Sequence, residues 1–295
     1  MNEIRIGFLG LGLMGSGMSK NLLATGFSVL GFDLDQEKMD SLRKEGGQTT
    51  DSPDQIAGQV DVILLSLPNS NVVNEVVKSS LKLFDTGRKG LILIDTTTAD
   101  PILSEELAVA LRKRGIEMLD ATISGTSKMC AVKDIIFMVG GKEDIFKASM
   151  PIFSALGKEA IYMGKNGAGA LTKIIVNLVL GINRMALAEG LSLAKKSQVD
   201  QYRMLEVLKK SAAYSKAMDQ KGTIMIEKKF LPAEGKVSSA LKDRKLMLDL
   251  GKRLNFPLPL VSIHAQALAA EIAKGRGDWD SSAIISYYED LGKAH

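Results

Sequence analysis

Short apolar runs alternate with amphipathic stretches through the first half of the chain. Ile4-Arg5-Ile6-Gly7-Phe8-Leu9 is a run of strand length, and Met18, Leu22 and Leu23 follow it at helical spacing. Residues 27–32, 60–66, 91–95, 117–120 and 135–139 repeat the short apolar run, while residues 101–114 and 144–156 carry helical periodicity. Continuous apolar strands interleaved with helices predict an α/β fold with a doubly wound, mostly parallel sheet over residues 1–164. Beyond Gly164 the strand-length runs almost vanish. Helical periods cover residues 168–197, 241–254, 259–274 and 281–291, which predicts an all-helical domain over residues 165–295. Ligands of open α/β sheets bind beyond the carboxyl ends of the strands, so the helical domain is expected to close over that crevice.

The first apolar run leads directly into Gly10-Leu11-Gly12-Leu13-Met14-Gly15. In a G-x-G-x-x-G turn one glycine makes the tight bend, the next admits a pyrophosphate, and the third lets the helix pack on the strand. The helix N-terminus then offers free N–H groups to phosphate. The second apolar run ends at Asp33, eighteen residues after Gly15, where a carboxylate can accept hydrogen bonds from an adenosine ribose. Strand, turn, helix and acid in that order predict a Rossmann-type dinucleotide site. Asp33 would repel a 2′-phosphate and bond a 2′-hydroxyl, so NAD is expected over NADP.

Composition narrows the class. At 295 residues, 45% hydrophobic and 24% charged, the chain has the make-up of a globular protein long enough for two cores. The net charge is +4 and the basic residues are scattered, with local pairs such as Lys195-Lys196 and Lys209-Lys210. These read as solvated helix faces, and no nucleic-acid partner is expected. The single cysteine, Cys130, excludes an intramolecular disulfide and a cysteine-based zinc cluster, and no metal site is expected. The longest apolar stretch, residues 174–193, is interrupted by Asn177, Asn183, Arg184 and Glu189, which argues for a buried helix and against a membrane span. A cytoplasmic location is expected.

Dinucleotide redox chemistry needs a group that moves a proton as the hydride moves. The chain has only two histidines. His295 is terminal, and His264 lies in an apolar helical stretch outside the motif-bearing segments, which suits a structural role. Lysine is the next candidate, because burial lowers its pKa. Lys173 stands early in an otherwise apolar helix, with Asn177 four residues later on the same face. Spacing alone leaves a catalytic lysine and a snorkelling one equally open.

With these residues the chain resembles the β-hydroxyacid dehydrogenase family, which includes 3-hydroxyisobutyrate dehydrogenase, 2-(hydroxymethyl)glutarate and tartronate semialdehyde enzymes, and succinic semialdehyde/glyoxylate reductases. Four motifs recur in order: the glycine turn, Ser124-Gly125, the K-x-x-x-N pair Lys173 and Asn177, and Lys242-Asp243. The resemblance implies that Lys173 is the general acid–base and that Ser124, Gly125, Thr126, Asn177 and Asp243 belong to the substrate site. It places Leu67, Pro68, Thr98 and Lys242 beside the cofactor, along with Asp33, Leu34 and the glycine turn. Leu34 stands where NADP-using relatives often carry arginine.

Two segments depart from the pattern. Asp120-Ala121-Thr122-Ile123-Ser124-Gly125-Thr126 replaces D-A-P-V-S-G-G, and Lys133 stands where a glycine is usual. Glu234 to Leu241 lacks the usual aromatic and polar pair. The implied activity is interconversion of a small β- or γ-hydroxy acid and its semialdehyde or oxo acid, by a homodimer or homotetramer. The alternatives are a non-catalytic NAD-binding module and an imine reductase-like enzyme, the latter disfavoured by the presence of Lys173. A 6-phosphogluconate enzyme is disfavoured by chain length and by Thr172 where histidine is expected.

Overall fold

The structure, a computed structural model, describes residues 4–292; His295 lies outside the described residues. Eight strands form one sheet: β1 (Arg5–Leu9), β2 (Ser28–Phe32), β3 (Gln48–Thr49), β4 (Val62–Leu65), β5 (Ile92–Asp95), β6 (Glu117–Ser124), β7 (Ile136–Gly140) and β8 (Glu159–Gly164). Their order is β3-β2-β1-β4-β5-β6-β7-β8. The β6–β7 pairing is antiparallel, whereas the β1–β2, β1–β4 and β5–β6 pairings are parallel. Successive strand residues point to opposite faces. Ile6, Phe8, Val62 and Leu64 enter one buried cluster, and Leu9, Ile63 and Leu65 enter the other. Both faces are covered, which is why the runs in the sequence are continuous rather than alternating.

The chain divides into two compact units, Met1–Lys173 and Ile174–His295, so the division falls inside the helix Ala168–Lys196 rather than ahead of it. The second unit holds the helices Gln201–Lys210, Lys216–Glu227, Val237–Arg253, Pro259–Ala273 and Ile284–Leu291 around a core that includes Leu187, Leu191, Met225, Leu268 and Ile284. The periodicity over 144–156 resolves into two helices, Glu143–Ala148 and Met150–Leu156. Pro151 has no N–H with which to continue the first one.

Strand β6 is longer than its apolar run. It continues past Asp120 to Ser124, because Thr122 and Ile123 pair with Met138 and Phe137 of β7. Asp120 thus sits inside a strand, buried, facing the start of the long helix. Its carboxylate accepts the Gly167 N–H at 2.8 Å and the Ala170 N–H at 2.9 Å. Gly169 is the close approach: a Cβ there would lie 2.2 Å from the Asp120 carbonyl oxygen and 2.5 Å from that of Met138. The Thr122 hydroxyl donates to the Gly169 carbonyl at 2.7 Å. The first turn of the long helix is therefore bonded to β6.

Asp95 ends β5 directly beside Asp120. Its carboxylate accepts the Thr97 N–H at 2.9 Å, and the Thr97 hydroxyl accepts the Leu67 N–H at 3.1 Å. Burial pushes the Asp95 carboxyl up to about 7; bonds from Thr97 oppose the rise, and the charge of Asp120 adds to it. Between about pH 4 and 7 the native chain keeps a proton that the unfolded chain has released. The stabilisation from this group is complete below the ordinary aspartate pKa and is lost as the pH rises to about 7.

Lys133 closes the helix Ser127–Ala131. Its φ is +57°, and the Lys133 and Asp134 N–H groups return to the Cys130 and Met129 carbonyls at 3.0 and 2.9 Å. That is a helix C-terminus in which glycine is favoured, since a side chain is crowded in the left-handed region.

Asp95→Asn keeps an acceptor for Thr97, so its stability relative to wild type should improve by up to about 1.4 kcal/mol per pH unit from pH 4 to 7 and then level off. Parallel denaturation midpoints across that range would refute the assignment. Lys133→Gly should stabilise by about 0.5–1 kcal/mol, since relief of the left-handed strain outweighs the added freedom of the unfolded chain. A lowered urea midpoint would contradict this.

Candidate active site

The three glycines of the turn have three different surroundings. Gly10 has φ +90°, and a Cβ there would lie 2.2 Å from the Ser66 carbonyl oxygen at the end of β4. A Cβ on Gly15 would lie 1.9 Å from the Gly10 carbonyl oxygen, so only glycine lets the helix Leu13–Ala24 start this close to β1. Gly12 caps that helix and faces open space, with nothing within 4 Å of its would-be Cβ. Bend, packing and open approach are thus separated along the turn, which fits a pyrophosphate at the N–H groups of residues 12–15. Leu11 is buried beneath the turn, Met14 is half-buried and Leu13 is exposed.

Asp33 braces the turn from the end of β2. Its carboxylate accepts the Leu11 N–H at 2.6 Å and the Asp35 N–H at 3.0 Å. Lys38, which sequence reading did not single out, reaches Asp33 at 3.6 Å and Asp35 at 3.5 Å. One ammonium is therefore shared by two carboxylates. Leu34 is 95% exposed and offers an apolar surface beside them.

Leu67 and Pro68 leave the end of β4, and Thr98 leaves the end of β5 half-buried. The contact between Leu67 and Thr97 ties the two exits together, and Asp95 orients Thr97 from below. Thr97 is a support that the sequence did not reveal, because it lies 30 residues from the Leu67 N–H that it holds, and Asp95 acts through it.

Ser124 is the last residue of β6, and Gly125 follows with φ +150°. A Cβ on Gly125 would lie 2.6 Å from the Ile135 side chain. Thr126 caps the next helix, its hydroxyl accepting the Met129 N–H at 3.3 Å. That helix packs on the helix Leu13–Ala24: the Asn21 amide donates to the Cys130 carbonyl at 2.8 Å, and Gly17 makes room for the Cys130 sulfur. Cys130 is buried, and burial pushes its thiol up to about 11, which suits packing rather than nucleophilic chemistry.

Lys173 lies in the second turn of the long helix, half-buried, five residues past Ala168. Asn177 is one turn further on the same face. Its amide nitrogen donates to Asp243 at 3.2 Å. A carboxylate only accepts, so the amide nitrogen faces Asp243 and the amide oxygen faces away from it. Lys242 is exposed and sits 3.8 Å from the Asp243 carboxylate. Among the described residues no group of three His, Cys, Asp or Glu side chains is placed to hold a metal ion.

Residues 5–164 match the sequence family described as the NAD binding domain of 6-phosphogluconate dehydrogenase. Residues 167–288 match the one described as the NAD-binding of NADP-dependent 3-hydroxyisobutyrate dehydrogenase. The chain is 33% identical to 2-(hydroxymethyl)glutarate dehydrogenase of Eubacterium barkeri over 98% of its own length and 96% of that protein. It is 30% identical to glyoxylate/succinic semialdehyde reductase 1 of Arabidopsis thaliana over 96% and 97%. Among solved structures, 3-hydroxyisobutyrate dehydrogenase of Mycobacterium tuberculosis superposes with a TM-score of 0.88 at 28% identity, covering 96% of this chain and 98% of that one. An imine reductase from Pseudomonas sp. shares the fold at a TM-score of 0.65 and 18% identity. With both halves matched in order and relatives of 30% identity or more aligned over nearly the full length, the chain belongs to the 3-hydroxyisobutyrate dehydrogenase-like β-hydroxyacid dehydrogenase family of NAD(P)-binding proteins.

Proposed function

We propose that the protein is an NAD-dependent oxidoreductase that interconverts a small β- or γ-hydroxy acid and its semialdehyde or oxo acid. The observation that carries this reading is the placement of Lys173. It stands on a helix whose first turn is bonded to β6, the strand that ends at Ser124. A proton-transfer group and a carboxylate-binding turn are thereby held on one rigid support.

When bound, NAD supplies hydride exchange at the carbinol carbon. Lys173 handles the accompanying proton: its amine takes the hydroxyl proton in oxidation, and its ammonium returns it to the nascent alkoxide in reduction. Ser124 and the backbone at Gly125 and Thr126 hold the substrate carboxylate. Asn177, oriented by Asp243, accepts a hydrogen bond from the reacting hydroxyl through its amide oxygen. Leu67, Pro68, Thr98 and Lys242 border the cofactor.

The preference for NAD rests on charge. Asp33 and Asp35 share the Lys38 ammonium, so a 2′-phosphate there would meet net negative charge, whereas a 2′-hydroxyl would find an acceptor. A homodimer or homotetramer accords with the exposed apolar side chains of Ile175 and Val179, one turn apart on the long helix. That helix is long and apolar enough to cross a membrane, but its Asn177 and Arg184 bond to Asp243 and Ser281, which supports reading it as a helix packed within a soluble protein, placed in the cytoplasm in this reading.

Lys173→Ala should lower kcat by about 10²–10⁴-fold with any of succinic semialdehyde, glyoxylate, tartronate semialdehyde or methylmalonate semialdehyde that the wild type reduces. Its NADH affinity, read by fluorescence titration, should stay within about twofold of wild type. Turnover near the wild-type rate would remove Lys173 from the reaction, and NADH binding without turnover by the wild type would leave a binding module. For the cofactor, Asp33→Asn combined with Leu34→Arg should move the NADH/NADPH ratio of kcat/KM toward NADPH by about tenfold or more. A wild type that already favours NADPH would reject the charge argument.

A further inference from the structure

Arg244 directly follows the Lys242-Asp243 pair, and it is 96% buried, leaving 4% exposed. Its Nε donates to Nδ1 of His264 at 3.0 Å, and a terminal nitrogen donates to the Met247 sulfur at 3.5 Å. Among the described residues it forms no ion pair; burial pushes the guanidinium down to about 10, and the charge of Asp243 only partly opposes this. A guanidinium taken out of water without an ion pair is costly, and a leucine would fill the same space more cheaply. Something other than stability accounts for its place.

Its other neighbour supplies the account. The second terminal nitrogen rests on Gly181 of the long helix: a Cβ there would lie 2.3 Å from that nitrogen and 2.7 Å from the His264 ring. Gly181 is one helical turn beyond Asn177 on the same face. Arg244 is thus clamped between the helix Pro259–Ala273 and the long helix, while Asp243, its neighbour in the chain, reaches Asn177 at 3.2 Å. Rotating the helix Val237–Arg253 enough to withdraw Asp243 would drive the guanidinium into Gly181 or off His264.

We propose that Arg244 is a positioning residue for the reaction, setting Asp243 against Asn177 by wedging between His264 and Gly181. This role rests on the oxidoreductase reading above. His264 suits the brace because it stays a lone-pair acceptor: burial, together with the charges of Arg244 and Arg184, pushes it down to about 3. Arginine only donates, so the His264 proton lies on Nε2.

The test is a set of coupled variants in the full chain, assayed on whichever semialdehyde the wild type reduces. Arg244→Met should lower kcat by about 10- to 100-fold, with NADH affinity and thermal midpoint little changed. Gly181→Ala, which favours the helix intrinsically, should lower kcat in the same direction. Gly181→Ala with Arg244→Met should be no worse than Arg244→Met alone. In an Asn177→Ala background Arg244→Met should add nothing, a coupling that a purely structural role would not produce. Wild-type kinetics in Arg244→Met or Gly181→Ala, or an undiminished further loss in the Asn177→Ala background, would overturn the role while leaving the oxidoreductase reading intact. If the wild type reduces none of these compounds, both fall together. Should Arg244→Met fail to fold, Gly181→Ala alone and with Asn177→Ala carries the same test.

Discussion

The carboxylate of Asp120 is the constraint on which the arrangement depends. It is buried within a strand, where desolvation raises its pKa, and backbone N–H groups of Ala170 and Gly167 oppose that rise. Those donors are among the orphans that every helix N-terminus leaves unsatisfied. Here the sheet satisfies them from its interior rather than from a flanking cap residue. The consequence is positional. The helix that carries Lys173 begins at a height and rotation dictated by β6, and the lack of a Cβ at Gly169 lets it approach that closely.

The same logic of close approach recurs at the cofactor turn. Gly10 and Gly15 bring backbone to backbone, and Gly12 leaves an open side. This half of the site was legible because its requirements are local: glycine has a distinctive reason to stand at each position, and Asp33 follows at the end of the next strand. The strands were legible for a related reason, since burial on both faces writes a continuous apolar run. Where burial is one-sided or the element short, as at β8 with its alternating exposure and the two-residue β3, no run exists to be read. The helices Gln201–Lys210 and Lys216–Glu227 were likewise not marked out among their many charged positions.

What the sequence could not show is who holds whom. Asp120 meets residues 47 and 50 positions away, and Arg244 meets His264 20 positions on. No periodicity relates such pairs. Ser124 illustrates the cost: read locally, residues 122–124 follow a strand ending at Asp120, whereas pairing with β7 extends the strand to Ser124 itself. Lys133 is the converse case. It stands where the family usually has glycine, and its left-handed φ and returning N–H bonds make it a helix terminus kept at the expense of local strain.

The unusual segment from Glu234 to Leu241 can be placed by the same reasoning. Asp280, almost fully buried, accepts the Glu234 N–H at 3.1 Å, the Gly235 N–H at 3.2 Å and the Lys221 ammonium at 2.9 Å. Burial pushes the Asp280 carboxyl up, but the bonds from Ser282 and Lys221 outweigh it and hold the group below its ordinary value. The Val237 N–H adds a bond to the Trp279 carbonyl at 2.8 Å. Three of these contacts are to the backbone of the segment, so they place it whatever its side chains, and the Glu234 and Lys236 side chains add ion pairs to Lys221 and Asp278 at 3.2 and 2.8 Å. The helix that presents Asp243 starts from this anchored backbone at Val237. Side chains can therefore diverge here while Asp243 stays set against Asn177, because the anchor lies at Asp280 and the wedge at Arg244, outside the residues that differ.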